Sequence, residues 1–137
     1  MSKKVKCGNA EFWLDSGVVF CRFMQKESVN NFNTENLKDY FSVIDKLSNG
    51  RYYPLVIDLR NLGDGYVFSV VKKLSRNLEL KTIVLSKSFV VSSFATKFGL
   101  AIFNLIPDPI IPNRIFCSFE KAVHYSLKTN YIFNSEQ

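Results

Sequence analysis

The chain has 137 residues, of which 47% are hydrophobic and 22% charged, and its formal net charge is +6. These values are typical of one globular domain with a substantial core and exclude a wholly disordered chain. Three lysines lie within the first six residues, and the remaining positive charge is not arranged as a stripe with interleaved aromatic residues. We therefore do not expect nucleic acid as a partner.

The sequence gives no sign of export or of a membrane span. Residues 1–8 carry charges with no apolar segment behind them, and the apolar stretch 89–106 contains Lys97 near its centre. The three cysteines, Cys7, Cys21 and Cys117, are odd in number and lack the spacing of metal ligands. We expect a reduced, cytoplasmic protein without a transmembrane segment, a metal ion or a cofactor.

The first half of the chain predicts a hairpin, a helix and a buried strand. Residues 11–15 and 18–23 are rich in aromatic and β-branched residues, and Ser16-Gly17 between them supplies a tight turn. Apolar residues recur at helical spacing over 37–47, with Asn33 or Thr34 as the N-cap and Gly50 as the left-handed C-terminal residue. The nearly continuous apolar run Pro54–Arg60 predicts a strand covered on both faces.

The second half predicts alternating helices and strands. The predicted elements are a helix over 67–77, a strand over 81–86, a long helix over 89–106 capped by Ser88, a strand over 114–117, and a helix over 118–128 capped by Ser118. This order indicates an α/β fold, with an N-terminal β-hairpin and a mixed sheet of four to five strands carrying about four helices. We assign residues 10–128 to the domain, 1–9 to a basic flexible tail and 129–137 to a C-terminal tail.

Several segments together resemble the STAS-like domains, the superfamily of bacterial anti-sigma-factor antagonists, and within it an uncharacterised bacterial branch labelled STAS/SEC14-like. The residues that carry the resemblance are Val56–Arg60, Phe103-Asn104, Pro109, Pro112, Arg114–Phe116 and Ala122. The resemblance implies a non-enzymatic regulatory or protein-interaction module. It also implies a protein partner, such as a signalling kinase or an anti-sigma-type regulator.

The resemblance does not extend to the family's phosphorylation site. In the antagonists, the strand is followed by an Asp-Ser-Ser-Gly motif in which one serine is phosphorylated. Residues 66–69 of this chain fall at that point, where Val67 and Phe68 occupy the serine positions and Ser69 follows one residue too late. We therefore expect a STAS-like module without the usual phosphorylatable serine.

The partner surface is predicted on the loop after the buried strand, on the start of the next helix and on the Ser88 cap. The candidate residues are Asn61, Asp64, Tyr66, Ser69, Ser86, Lys87 and Ser88. Turn chemistry and helix capping also explain these residues without a binding role. We interpret Asp58 as structural, with its carboxylate accepting from backbone amides of the loop; alternatively, it orients a binding loop at the edge of the sheet.

The sequence predicts no catalytic residues. His124 is the only histidine, and no second group is placed to assist it or a nucleophile. The aspartates are not spaced as an acid–base pair, and the ligand count for a metal site is too low. We therefore do not expect an enzyme.

The phenylalanine-rich helix predicted over 89–106 leaves two further hypotheses open. If one of its faces is uncovered within the monomer, it forms an apolar patch on which we expect a homodimer. If it lines a pocket instead, the protein is a carrier or sensor of an apolar small molecule or lipid.

Overall fold

The computed structural model describes residues 3–24, 37–102 and 113–135. These ranges form an α/β fold with a six-stranded mixed sheet and five helices. The elements are β1 (Val5–Cys7), β2 (Ala10–Asp15), β3 (Val18–Phe23), α1 (Leu37–Ser48), β4 (Tyr53–Asp58), α2 (Asp64–Ser75), α3 (Leu78–Lys81), β5 (Val84–Val90), α4 (Phe94–Ile102), β6 (Asn113–Phe116) and α5 (Phe119–Asn134). The α/β class and the mixed sheet are confirmed, while the expected strand number of four to five is too low.

The strands lie in the sheet in the order in which they occur in the chain. The pairs β1–β2 and β2–β3 are antiparallel, whereas β3–β4, β4–β5 and β5–β6 are parallel. Because β3 to β6 all point the same way, their C-terminal ends meet at one side of the sheet, here called the carboxyl edge. Open α/β sheets bind ligands at this edge.

Helices cover both faces of the sheet. The larger core cluster joins alternate residues of β3, β4 and β5 to buried residues of α1, α2, α3 and α4. On the opposite face, Trp13, Phe20, Val56 and Val90 pack against Ala122 of α5. Helix α5 begins just after β6, and its last residue, Asn134, donates to the carbonyl of Tyr52 before β4. It therefore starts at the carboxyl edge and ends at the opposite edge.

Several local predictions are confirmed. Ser16 and Gly17 form the two-residue hairpin turn, with φ angles of 53° and 76°. Gly50, which follows α1, has a φ angle of 82°. The Ser118 hydroxyl accepts from the backbone N–H of Lys121 and caps α5. The predicted caps Asn33 and Thr34 lie outside the described residues.

Both predicted tails contain regular structure. Within residues 1–9, Val5–Cys7 form β1 and pair with β2. The helix predicted to end at residue 128 continues to Asn134, and side chains of this stretch form hydrogen bonds within it. The Thr129 hydroxyl donates to the Tyr125 carbonyl, and the Asn134 amide donates to Asn130.

The predicted start of the long helix is wrong. Residues 78–81 form the short helix α3, which Asn77 caps, and strand β5 begins after it at Val84. Pairing with β4 and β6 on its two sides extends β5 as far as Val90. Helix α4 begins at Phe94, where the Ser93 hydroxyl accepts from the backbone N–H of Thr96 at 3.1 Å. Ser88 is therefore a strand residue and caps no helix. None of the helices in the described ranges is long and apolar enough to cross a membrane.

Candidate functional site

A carboxylate and two guanidinium groups meet at the carboxyl edge. Asp58, the last residue of β4, is the register partner of Arg22 on β3, and Arg22 Nε donates to Asp58 Oδ2 at 3.1 Å. Arg60, two residues further on, donates from Nε to Oδ1 and from Nη2 to Oδ2, each at 2.9 Å. The Asp58 side chain is 4% exposed, so one buried carboxylate holds both arginines.

Asp58 also organises the loop that follows β4. The backbone N–H of Arg60 donates to Asp58 Oδ1 at 3.1 Å, which confirms the predicted bond from this carboxylate to the loop backbone. Burial raises the pKa of the Asp58 carboxyl, but the hydrogen bonds and charge of Arg60, together with the bond from Arg22, outweigh it and lower this pKa overall. The carboxylate therefore stays ionised, and both of its oxygens already accept hydrogen bonds from the arginines. A carboxylate with a lowered pKa and no free oxygen is a poor general base.

The three charged side chains and Asn61 line a cavity of about 370 Å³. Arg22 and Arg60 are 29% and 40% exposed at the side chain, so both guanidinium groups remain accessible from solvent. The Asn61 side chain donates to the Phe23 carbonyl at the end of β3, which ties the loop to the sheet. The cavity thus has polar walls that are held by the ends of two neighbouring strands.

Aromatic rings lie against the two guanidinium groups. The Arg22 guanidinium carbon is 5.1 Å from the Trp13 ring centroid, and that of Arg60 is 4.9 Å from the ring of Phe119, the first residue of α5. Lys4 lies over the same Trp13 ring at 4.8 Å. The fold therefore does assemble cations among aromatic rings, although the sequence shows no such stripe. Trp13 is 8% exposed, so its ring cannot serve as a platform for a nucleic-acid base.

The thiol next to Arg22 in the chain, that of Cys21, does not provide a nucleophile for this site. Cys21 precedes Arg22 in β3, and its side chain lies in the core cluster on the other face of the sheet. Burial and the negative charge of Asp58 raise the pKa of the Cys21 thiol well above its ordinary value. The thiol therefore stays protonated and packs as a small apolar group.

The structure separates the predicted residues of the Asn61–Tyr66 loop and the following helix. Asn61 lines the cavity. Asp64 begins α2 and accepts a hydrogen bond from the Thr96 hydroxyl at 3.0 Å, which links α2 to α4. Tyr66 is buried, and its hydroxyl accepts from the Asn9 side chain, while Ser69 is half-buried on α2. Asn61 is thus the predicted loop residue that reaches the site, and Tyr66 belongs to the core.

The prediction of a partner surface at Ser86, Lys87 and Ser88 is wrong, because all three are fully buried in β5. The Lys87 ammonium donates to the carbonyls of Leu74 and Ser75, at 3.4 and 3.0 Å, where α2 ends. A cation at this end of a helix compensates the negative end of the helix dipole. Lys87 therefore stabilises the junction of α2 with the sheet.

Sequence reasoning missed the two arginines of the site. Arg22 is the one charged residue in the otherwise apolar strand Val18–Phe23, and Arg60 lies two residues after the buried acid. A charge inside an apolar strand needs a charged or polar partner, and that signal was available in the sequence. Which strand supplies the partner depends on the parallel register of β3 with β4, which is a long-range property.

Other chemistry is sparse in the described ranges. His124 lies on the exposed side of α5. No three histidine, cysteine or acidic side chains among residues 3–24, 37–102 and 113–135 lie close enough together to hold a metal ion. The Arg22–Asp58–Arg60 cluster is therefore the candidate site within these ranges.

Comparison with known proteins yields a family but no described activity. No curated protein and no solved structure matches the chain. One family model, described as a domain of unknown function (DUF7793), matches residues 12–130, which include every described strand from β3 to β6 and the whole cluster. Because this match covers most of the sequence, the chain belongs to the DUF7793 family.

Proposed function

We propose that the chain is a non-enzymatic regulatory or protein-interaction module of STAS-like type that binds a partner protein at its carboxyl edge. The observation that carries this proposal is the Arg22–Asp58–Arg60 cluster, which opens into a cavity where parallel strands end. This is the position at which α/β sheets place ligands. A signalling kinase or an anti-sigma-type regulator is the class of partner that the resemblance implies.

The residues after the cluster support a binding function that does not depend on phosphorylation of a serine in this chain. Val67 is buried and Phe68 half-buried at the positions where the antagonists carry serines. Helix α2 already begins at Asp64, so Ser69 lies in its second turn and away from the loop. In this proposal, recognition depends on fixed charges at the edge and needs no modification of the module itself.

Site-specific crosslinking in native lysate tests the proposal. A photo-reactive amino acid replaces Asn61 at the rim of the cavity, and, as the matched control, Asp45 on the exposed side of α1. We expect the probe at position 61 to capture a discrete partner protein that the probe at position 45 does not capture. The same captured proteins at both positions would contradict binding at the carboxyl edge.

A homodimer through α4 is a second proposal, and two exposed rings support it. Phe94 and Phe98 are 75% and 64% exposed and lie one helical turn apart, on one side of α4. A second copy of the chain would cover these rings in a symmetric contact. We expect dimers in sedimentation equilibrium and a shift to monomer in a Phe94→Ser, Phe98→Ser variant. A wild-type monomer at high micromolar concentration would contradict the dimer.

The carrier hypothesis gains no support from these two rings, because exposed phenylalanines do not line an enclosed cavity. It makes a different prediction from the interaction module. A carrier purified gently should show the mass of a bound apolar molecule in native mass spectrometry, while an interaction module should show only the mass of the chain or of its dimer.

A further inference from the structure

The hydrogen bonds within the cluster leave several guanidinium donors outside the contact with Asp58. Arg22 reaches the carboxylate through Nε, and Arg60 reaches it through Nε and Nη2. Each guanidinium has five N–H donors, so the terminal nitrogens of Arg22 and Nη1 of Arg60 do not contribute to these bonds. In the described parts of the chain, Asp58 is also the only acid that forms an ion pair with either arginine.

The charge of the cluster selects the class of ligand. Two guanidinium groups and one carboxylate carry one net positive charge, and all four residues that line the cavity are polar. An apolar ligand would leave the guanidinium donors that do not bond to Asp58 without hydrogen bonds. A cation would be repelled by the net positive charge. A volume of about 370 Å³ admits a phosphate or carboxylate group with bridging water, since one water in the liquid occupies about 30 Å³.

The arginines are held in place before any ligand arrives. Asp58 bonds to both guanidinium groups, and Phe119 contacts both, with its ring centroid 5.8 Å from the Arg22 guanidinium carbon and 4.9 Å from that of Arg60. The Arg22 guanidinium also lies against the Trp13 ring, and Trp13 itself stacks on Phe20 at 5.1 Å. A restrained guanidinium loses less conformational entropy when it binds, and its planar donors match the oxygens of a carboxylate or phosphate.

We infer that the cavity between Arg22 and Arg60 binds an oxyanion, a phosphate or carboxylate group that the partner protein presents. The inference rests on the proposed function, since it names the chemical group recognised at the same edge. Asp58 acts as the positioning residue, because it orients the two arginines and keeps the net charge of the cluster at +1.

Nuclear magnetic resonance of the arginine side chains tests this directly on the whole chain. The Nε–H signals of Arg22 and Arg60 are followed during titration with inorganic phosphate and, separately, with acetate, at an ionic strength held constant with chloride. We expect saturable shifts of both signals with at least one of the two anions. Saturation by phosphate alone would identify a phosphate group, and saturation by acetate alone would identify a carboxylate.

Matched variants locate the binding. Arg22→Gln should weaken the apparent affinity at least tenfold, and Arg22→Lys should weaken it severalfold because the charge stays while the planar donors are lost. Arg114→Gln is the control, since Arg114 also lies over an aromatic ring, Tyr125 at 5.0 Å, but does not line the cavity. If Arg22→Gln does not fold, the titration of the wild type and of Arg22→Lys still decides the question.

Negative results of the anion titration can be distinguished from a failure of the proposed partner binding, because crosslinking at position 61 tests the partner separately. Absence of saturation with both anions, shifts equal to those of chloride alone, or equal weakening by Arg114→Gln would each overturn the oxyanion site. Specific crosslinking at position 61 would then still support a partner at the carboxyl edge, bound by other chemistry. Saturable phosphate or acetate binding without any specific crosslink would support the oxyanion site and count against a protein partner.

Discussion

At the scale of single residues, one interaction of Asp58 was predicted from the sequence and two were not. Its bond to the Arg60 backbone N–H follows from its place at the end of a strand, and the sequence predicted it. Its ion pair with Arg60 is equally local but was missed, and its ion pair with Arg22 could not follow from local reasoning, because Arg22 is 36 positions away and becomes a neighbour only through parallel strand pairing. The local part of this residue's role was therefore predictable, and its contact with Arg22 was not.

Asp58→Asn should destabilise the protein by about 2 kcal/mol at neutral pH, because it leaves two guanidinium groups without their counter-charge. The loss of stability is not larger because both arginine side chains are partly exposed, and solvent screens their charges. The stabilisation comes from a carboxyl whose pKa is lowered by folding. It is therefore fully present above the ordinary aspartate pKa of about 3.9 and is lost as the pH falls through the lowered folded-state value.

Urea denaturation at several pH values measures this effect. The difference in unfolding free energy between wild type and Asp58→Asn should be constant from about pH 5 to 7 and shrink below about pH 4. The control is Asp45→Asn, an exposed acid on α1, which should change stability by less than about 0.5 kcal/mol. A difference that does not depend on pH would contradict a charge-based role for Asp58.

At the scale of elements, the segment 77–96 shows how tertiary pairing overrides local signals. Ser86-Lys87-Ser88 before an apolar stretch is a reasonable cap by local chemistry, and the stretch itself has the length of a helix. In the fold, β5 runs between two parallel partners and takes in residues up to Val90, and the cap moves to Ser93. The strand and the helix after it were predictable, but their boundaries depended on neighbours from elsewhere in the chain, and the four-residue helix α3 (Leu78–Lys81) was not predicted.

Two serine substitutions distinguish the predicted helix start from the observed one. Ser93→Ala should cost about 1 kcal/mol, because it removes the acceptor for the backbone N–H of Thr96. Ser88→Ala should be neutral or slightly stabilising, because the buried Ser88 hydroxyl has no hydrogen-bond partner within the described structure. Thermal unfolding of both variants measures this, and a cap-sized loss for Ser88→Ala alone would contradict the assigned start of α4.

At the scale of the whole molecule, the sequential strand order decides where function can reside. Alternating helices and buried strands predicted the α/β class, and the sheet of β3 to β6 follows that alternation. The three-residue strand β1 was not predictable, because a stretch that short carries no periodic signal. Its presence turns an expected tail into the edge of the sheet and places Lys4 beside Trp13, close to the basic cluster.

Deletion of residues 1–8 should therefore lower the stability of the protein. Loss of a flexible tail would leave the stability unchanged. The deletion removes the β1–β2 hydrogen bonds and the packing of Cys7 against the core, so we expect a loss of about 1–2 kcal/mol. It also exposes the β2 edge, which promotes pairing between chains, so self-association should rise with concentration in sedimentation experiments.

The control is a Lys4→Gln, Lys6→Gln variant, which keeps β1 and lowers only the charge. Equal stability of the wild type and the deletion variant would show that β1 contributes nothing to the fold, whereas a loss in the deletion alone assigns the effect to the strand and not to its lysines.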